Sequence, residues 1–181
     1  MRSTWAWVAP ALFLFEEKDM RFCGIDASSK KTGICLLVDG QLSDYKLLDY
    51  SSIADREERM DLMCTALLKQ LTVYDPQIVY IEDSWNAANV EVTKLLTRIM
   101  GVTYAWCLSK KREWHSILPS QWRKYCGIVQ SKKKRQELKK EAIDYVFNRY
   151  RTEVGDDVAD AICLADGVCN YYMSLQEDND E

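Results

Sequence analysis

Residues 21–40, RFCGIDASSKKTGICLLVDG, decide the fold. Phe22 to Asp26 is a short apolar run that ends on an acid, and Thr32 to Val38 is a second apolar run. The polar segment Ala27-Ser28-Ser29-Lys30-Lys31 between them reads as a turn. Asp39-Gly40 is a hairpin signal that leads into a third strand, Asp44 to Tyr50. Three meandering strands therefore open the domain.

Downstream the period changes from two to 3.6. Ile53 to Leu71 places Met60, Met63, Cys64, Leu67, Leu68 and Leu71 on one helical face, and Asp75-Pro76 breaks it. Ile78 to Ile81 is a buried strand ending at Glu82-Asp83. A second helix over Asn89 to Ser109 carries Val92, Leu95, Leu96, Ile99, Val102 and Trp106 along one stripe. Trp114 to Leu118 is a fifth strand, Pro119-Ser120 opens a short helix, Lys132 to Tyr150 a longer one, and Asp156 to Met173 the last. With the short piece at Pro119 left aside, the order β-β-β-α-β-α-β-α-α predicts an α/β domain with a five-stranded mixed sheet flanked by helices. Residues 20–174 form this domain. Residues 1–19, with the apolar run Trp5 to Phe15 too short to span a bilayer, are expected either to precede a functional start at Met20 or to be a loosely attached N-terminal extension, with an extra core-packed strand or helix as the alternative. Residues 175–181 are expected to be an acidic, disordered tail.

Composition narrows the chemistry. With 181 residues, 48% of them hydrophobic and 29% charged, the chain suits one globular domain and no membrane span. The single histidine, His115, excludes a zinc cluster built on imidazoles and reads as a structural residue. Seven cysteines without a C-x-x-C pair, mostly in apolar runs, predict buried thiols in a reducing, cytoplasmic setting. Carboxylates are left as the carriers of any catalysis.

They stand where sheets end. Asp26 terminates the first strand, Glu82 the fourth, and Asp156-Asp157 with Asp160 begin the last helix. Strand ends in open α/β sheets are where ligand crevices form. An acid directly after Phe-Cys-Gly-Ile or Ile-Val-Tyr-Ile is costly to ionise unless a cation compensates. Acidic oxygens converging without imidazoles suit Mg²⁺ or Mn²⁺, and two such ions support phosphodiester hydrolysis. Each acid alone is an ordinary cap or surface residue; the set is a candidate metal site.

The ordered set Gly24-Ile25-Asp26-x-Ser28-x3-Thr32-Gly33, then Val79-Tyr80-Ile81-Glu82, then Asp157-Val158-Ala159-Asp160-Ala161 resembles the RuvC-type Holliday-junction resolvases of the RNase H-like superfamily. The similarity spans about residues 21–173, and Leu118-Pro119-Ser120-x-Trp122-Arg123-Lys124 resembles the phage and firmicute members. The resemblance implies an RNase H-like fold and a crossover junction endodeoxyribonuclease acting as a homodimer on four-way DNA junctions. It implies that Asp26, Glu82, Asp157 and Asp160 are catalytic and bind two Mg²⁺ ions, with Mn²⁺ able to substitute. Asp156 leaves the third ligand open between neighbours, and the D-x-x-D-A spacing favours Asp157. The stripe Leu95, Ile99, Val102 and Trp106 is a candidate dimer interface.

Charge is polarised. Residues 110–151 hold 13 Lys/Arg and 4 Asp/Glu, inside a chain of net charge −4. Such a stretch can grip a polyanion on one side, and Arg123, Lys124, Lys132, Lys133, Lys134 and Lys140 are the candidate DNA contacts. Trp85 lies three residues after Glu82 among polar neighbours, and the resemblance makes it the aromatic that stacks on a junction base. Two other functions compete: an RNase H-like nuclease for other branched DNA or RNA–DNA hybrid, and a non-catalytic junction-binding protein. A sugar-kinase-like ATPase is excluded, since it needs a second glycine-rich loop and the chain has 7 glycines and no Gly-Gly.

Overall fold

The computed structural model describes residues 19–83, 90–131 and 133–177. Strands β1 (Arg21–Asp26), β2 (Lys31–Val38) and β3 (Gln41–Asp49) form an antiparallel meander. Helix α1 (Arg56–Tyr74) leads to β4 (Ile78–Glu82), which returns parallel to β1, and α2 (Val90–Lys110) leads to β5 (Glu113–Ile117), parallel to β4. Helices α3 (Pro119–Tyr125), α4 (Arg135–Tyr150) and α5 (Asp156–Glu177) complete the described chain. The strand order is β3-β2-β1-β4-β5, so the expected five-stranded mixed sheet is present.

Element ends differ from the sequence reading for local reasons. Asp39 and Gly40 take positive φ (50° and 72°), making the tight turn that pairs Val38 with Gln41 at once. Strand β3 therefore starts before Asp44; as an edge strand it is largely exposed, and its polar start carries no apolar signature. Helix α1 starts at Arg56 because the Asp55 side chain accepts the Glu58 amide at 2.8 Å. The freed Ile53 carbonyl accepts from the Arg59 guanidinium at 2.6 Å. Leu68 is 37% exposed, so the buried stripe of α1 runs through Met60, Met63, Leu67 and Leu71 instead. Helix α4 starts at Arg135, where the Glu137 carboxylate accepts the Lys134 amide at 2.6 Å. Helix α5 continues to Glu177, past Met173.

Two apolar layers sandwich the sheet. Cys23, Ile25, Ile34, Leu36, Val79 and Ile81 pack against α1 and α2. Phe22, Cys35, Leu37 and Ile78 face α5, which is itself covered by α3 and α4. From Val158 to Cys169 every residue of α5 is buried, as befits a helix with a sheet on one side and helices on the other. Of the expected dimer seam, Leu95, Ile99 and Trp106 are taken up by this core and Val102 is half-buried; Val90, Tyr104 and Leu108 are the exposed large apolar residues of α2. Asp166, 0% exposed, accepts hydrogen bonds from Tyr145 and, at 2.6 Å, from Tyr150, and lies 2.7 Å from Arg149 Nε, which ties α4 to α5. All seven cysteines are free thiols, five of them buried. Among the described residues no helix is long and apolar enough to cross a membrane.

Two glycines set how closely α5 approaches. A Cβ on Gly33 would stand 2.0 Å from the Asp157 carbonyl oxygen, and one on Gly24 would stand 2.3 Å from that of Ala161. Both obstacles are backbone, so neither can rotate away. Gly33→Ala and Gly24→Ala should each destabilise the fold by about 1–3 kcal/mol or more, the range for overpacking. Gly101→Ala, in α2 with nothing within 4 Å of the new Cβ, should raise stability by about 0.5–1 kcal/mol. Thermal or urea melts of the three variants check the contrast; equal effects at Gly33 and Gly101 would contradict it.

Candidate active site

Strand alternation builds half of the site. Phe22, Gly24 and Asp26 share the face of β1 that meets α5, and Ile78, Tyr80 and Glu82 share that face of β4. The parallel register pairs Ile25 with Ile81, so Asp26 and Glu82 follow as neighbours on adjacent strands. Asp26 also stands opposite Gly33, over which the first turn of α5 rides. That contact delivers Asp157 and, one turn on, Asp160 to the same end of the sheet.

Electrostatics register the convergence. Burial pushes the Asp26 carboxyl well above the usual range, and the charges of Glu82, Asp160 and Asp157 push it further. Asp160, 6% exposed, is raised to about 7, chiefly by burial, with Arg123 opposing and Glu82 adding. Glu82 is raised by burial against the pull of the Trp122 hydrogen bond and Arg123. Asp157 is raised by burial and by Asp156. The neighbours at the helix start separate cleanly: Lys139 Nζ ion-pairs Asp156, whose carboxyl is lowered, and stays 3.9 Å from Asp157 Oδ1.

Four acids raised chiefly by burial, with Asp26 pushed further by the other three, are a site short of positive charge. Asp160 Oδ1 is buried without any hydrogen-bond partner, an acceptor with nothing to accept. Among the described residues no three His, Cys, Asp or Glu side chains stand at metal-holding separations, so the acids share a neighbourhood and a field, not a finished cage. An all-carboxylate donor set with an orphaned buried oxygen fits a hard divalent cation such as Mg²⁺ or Mn²⁺.

Basic groups surround the acids unevenly. The Arg123 guanidinium lies 4.5 Å over the Trp122 ring, with its Nε buried and unpartnered. Lys124, Lys134 and Lys140 are exposed, whereas Lys133 pairs with Glu141 at 2.5 Å. Trp85 and Lys132 lie outside the described residues. His115 is exposed and stacks on Tyr80 at 4.8 Å between ring centroids. Of the groups at these acids, the sequence offers Lys139 only as one of the basic pair Lys139-Lys140, and Trp122 not as a site residue. Lys139, not Lys140, faces them; it shares a helical face with the buried Ala142 and Val146, a phase the sequence contained. Trp122 donates its indole N–H to Glu82 Oε2 at 2.9 Å, which no spacing rule foretells.

Known proteins share this fold. A family model described as crossover junction endodeoxyribonuclease RuvC matches residues 22–169. The crossover junction endodeoxyribonuclease RuvC of Caldicellulosiruptor saccharolyticus is 24% identical over 160 residues, covering 86% of this chain and 94% of that relative. A structure of T. thermophilus RuvC in complex with Holliday junction substrate superposes with a TM-score of 0.68 at 16% identity, covering 85% of this chain and 96% of that one. The yeast mitochondrial Holliday junction resolvase Ydc2 gives 0.61 at 20% identity, covering 88% and 81%. The strand order, the α5 seat and the family match over residues 22–169 lead to one conclusion: this chain belongs to the RuvC family of crossover junction endodeoxyribonucleases and has their RNase H-like fold.

Proposed function

We propose that this chain is a metal-dependent, structure-selective endonuclease that nicks DNA at four-way (Holliday) junctions in recombination, repair or phage DNA processing. The observation that carries the reading is the gathering of Asp26, Glu82, Asp157 and Asp160 at one end of the sheet, each raised chiefly by burial and with a buried acceptor oxygen unmet. These four residues would hold two Mg²⁺ ions, or Mn²⁺ in their place. When bound, such ions activate a water and stabilise the leaving oxygen of the phosphodiester, giving a 5′-phosphate and a 3′-hydroxyl.

The chain's own groups divide the remaining work. Lys139 neutralises Asp156, so the negative charge presented at the helix start comes from Asp157 and Asp160. Arg123 places a positive group beside Asp160 and Glu82, where a phosphate would otherwise meet only acids. Exposed Lys124, Lys134 and Lys140 offer further phosphate contacts, with Lys132 and Lys133 in the same stretch. Trp85 supplies the stacking face for an unpaired base. Resolution needs two symmetric nicks and the described residues of each chain gather one such acid cluster, so the working unit is a two-fold dimer.

Asp26→Asn should reduce Mg²⁺-dependent nicking of a synthetic mobile junction by about 100-fold or more while junction binding persists, and two chains should sediment with each junction. Undiminished nicking by Asp26→Asn overturns the metal assignment.

The pKa directions fix a second outcome. All four carboxyls are raised on folding. The folded state therefore binds more protons, and the associated stability is lost as pH rises from the ordinary carboxylate range through the Asp160 value of about 7. The metal-free protein should melt at a lower temperature at about pH 8 than at about pH 5.5, and Mg²⁺ should restore more at the higher pH. A melting temperature that falls on acidification across this window would contradict the sign.

Affinity and junction selectivity should separate. Replacing Lys134 and Lys140 by Gln should weaken junction and duplex binding alike and reduce the salt slope by about 0.9 for each phosphate no longer neutralised. Trp85→Ala should remove about 1–3 kcal/mol of stacking on the junction alone. Paired titrations at two salt concentrations check both; equal losses on junction and duplex for Trp85→Ala would exclude the stacking role.

A further inference from the structure

We propose that Trp122 is a positioning residue for the cleavage chemistry, its indole N–H fixing the Glu82 carboxylate in the orientation a bound cation requires; the inference rests on the metal-site reading of the acids.

Trp122 is fully buried in α3, and its carbonyl side packs so tightly on α5 that a Cβ on Gly167 would stand 3.1 Å from the Trp122 carbonyl oxygen. The ring has no freedom to follow a moving carboxylate. Its Nε1 donates to Glu82 Oε2 at 2.9 Å. A buried indole needs some acceptor, but this one uses a carboxylate at the end of β4, beside Asp26 and within the field of Asp160. One donor on one oxygen ties down the carboxylate's terminal torsion and leaves Oε1 for another partner.

The chemistry of the donor matters as much as its place. An indole N–H donates only and carries no charge. It can orient Glu82 without bringing a cation that would compete with a divalent ion, as a lysine in the same place would. The Arg123 guanidinium rests on the opposite resource of the same side chain, the ring face, at 4.5 Å. Trp122 thus holds an acid by its edge and a base by its face, and fixes the spacing between them. Groups that orient metal-binding carboxylates in this way typically matter about 10- to 100-fold for metal affinity.

The test uses Mn²⁺ alone as the probe, with free Mn²⁺ measured by electron paramagnetic resonance. Trp122→Phe keeps a ring and removes the N–H. It should raise half-saturating Mn²⁺ by about tenfold or more, and excess Mn²⁺ should restore most of the nicking rate. In a Glu82→Ala background the same substitution should leave Mn²⁺ affinity unmoved, because its route to the metal is gone. Wild-type Mn²⁺ affinity in Trp122→Phe, or an equal loss in both backgrounds, overturns the proposal while leaving the metal site standing. A wild-type chain that binds no Mn²⁺ overturns the metal-site reading and this inference together. A second measurement leaves Trp122 intact and so does not depend on how well Trp122→Phe folds. In full-length Trp85→Phe protein labelled with ¹⁵N at its indoles, the one N–H signal displaced by Glu82→Gln should also move on adding Mg²⁺. If no indole signal answers to both, the proposal is wrong.

Discussion

Helix α5 touches the sheet backbone to backbone at Gly24 and Gly33, and the rest of the site depends on that contact. An ordinary helix–sheet pair is kept apart by side chains on both surfaces. Here the strands contribute none at these two positions, and the helix answers with the small Ala161 and Ala165. The helix can then bring Asp157 and Asp160 to the level of the strand ends. A larger residue at either glycine would lift the helix and separate the two pairs of acids, whatever the acids themselves were.

This contact also explains which parts of the molecule were legible beforehand. The strands and the buried helices follow from periods of two and 3.6, and the four acids stand out because each borders an apolar run. Gly33 was readable as part of a motif, but its partner, the Asp157 carbonyl, lies more than a hundred residues away and leaves no mark in local pattern. The same is true of Trp122 and Glu82, forty residues apart, and of Asp166, which looks like a break in an apolar helix until Tyr145, Arg149 and Tyr150 surround it. Local sequence reports what a residue is; it does not report what folds against it. The dimer stripe on α2 failed for a related reason, since an apolar face does not say whether sheet or subunit covers it.

Charge is organised around the acids in three grades. Asp156 is balanced by Lys139 at the helix start. Glu82 is held by a neutral donor and flanked by Arg123. Asp160 is the extreme, nearly sealed from water and with one oxygen unmet. Full neutralisation by lysines and arginines would make a more stable protein and would leave the proposed metal site nothing to attract a cation with. The cluster is left electron-rich, and the rigidity to tolerate that comes from the continuous packing of Val158 to Cys169.

The buried Asp166 junction gives α4 a property of its own. Tyr145, Arg149 and Tyr150 dock its C-terminal half on α5, and Lys139 docks its N-terminal half on Asp156. A helix fastened twice along its length has its axial position set without help from the chain that precedes it. The segment from Cys126 to Lys134, which joins α3 to α4, is itself anchored, by Ile128 in the core and by Lys133 on Glu141. Its exposed positions Val129, Ser131 and Lys134 become variables that selection or an engineer can change, while the acidic end of the sheet keeps its register.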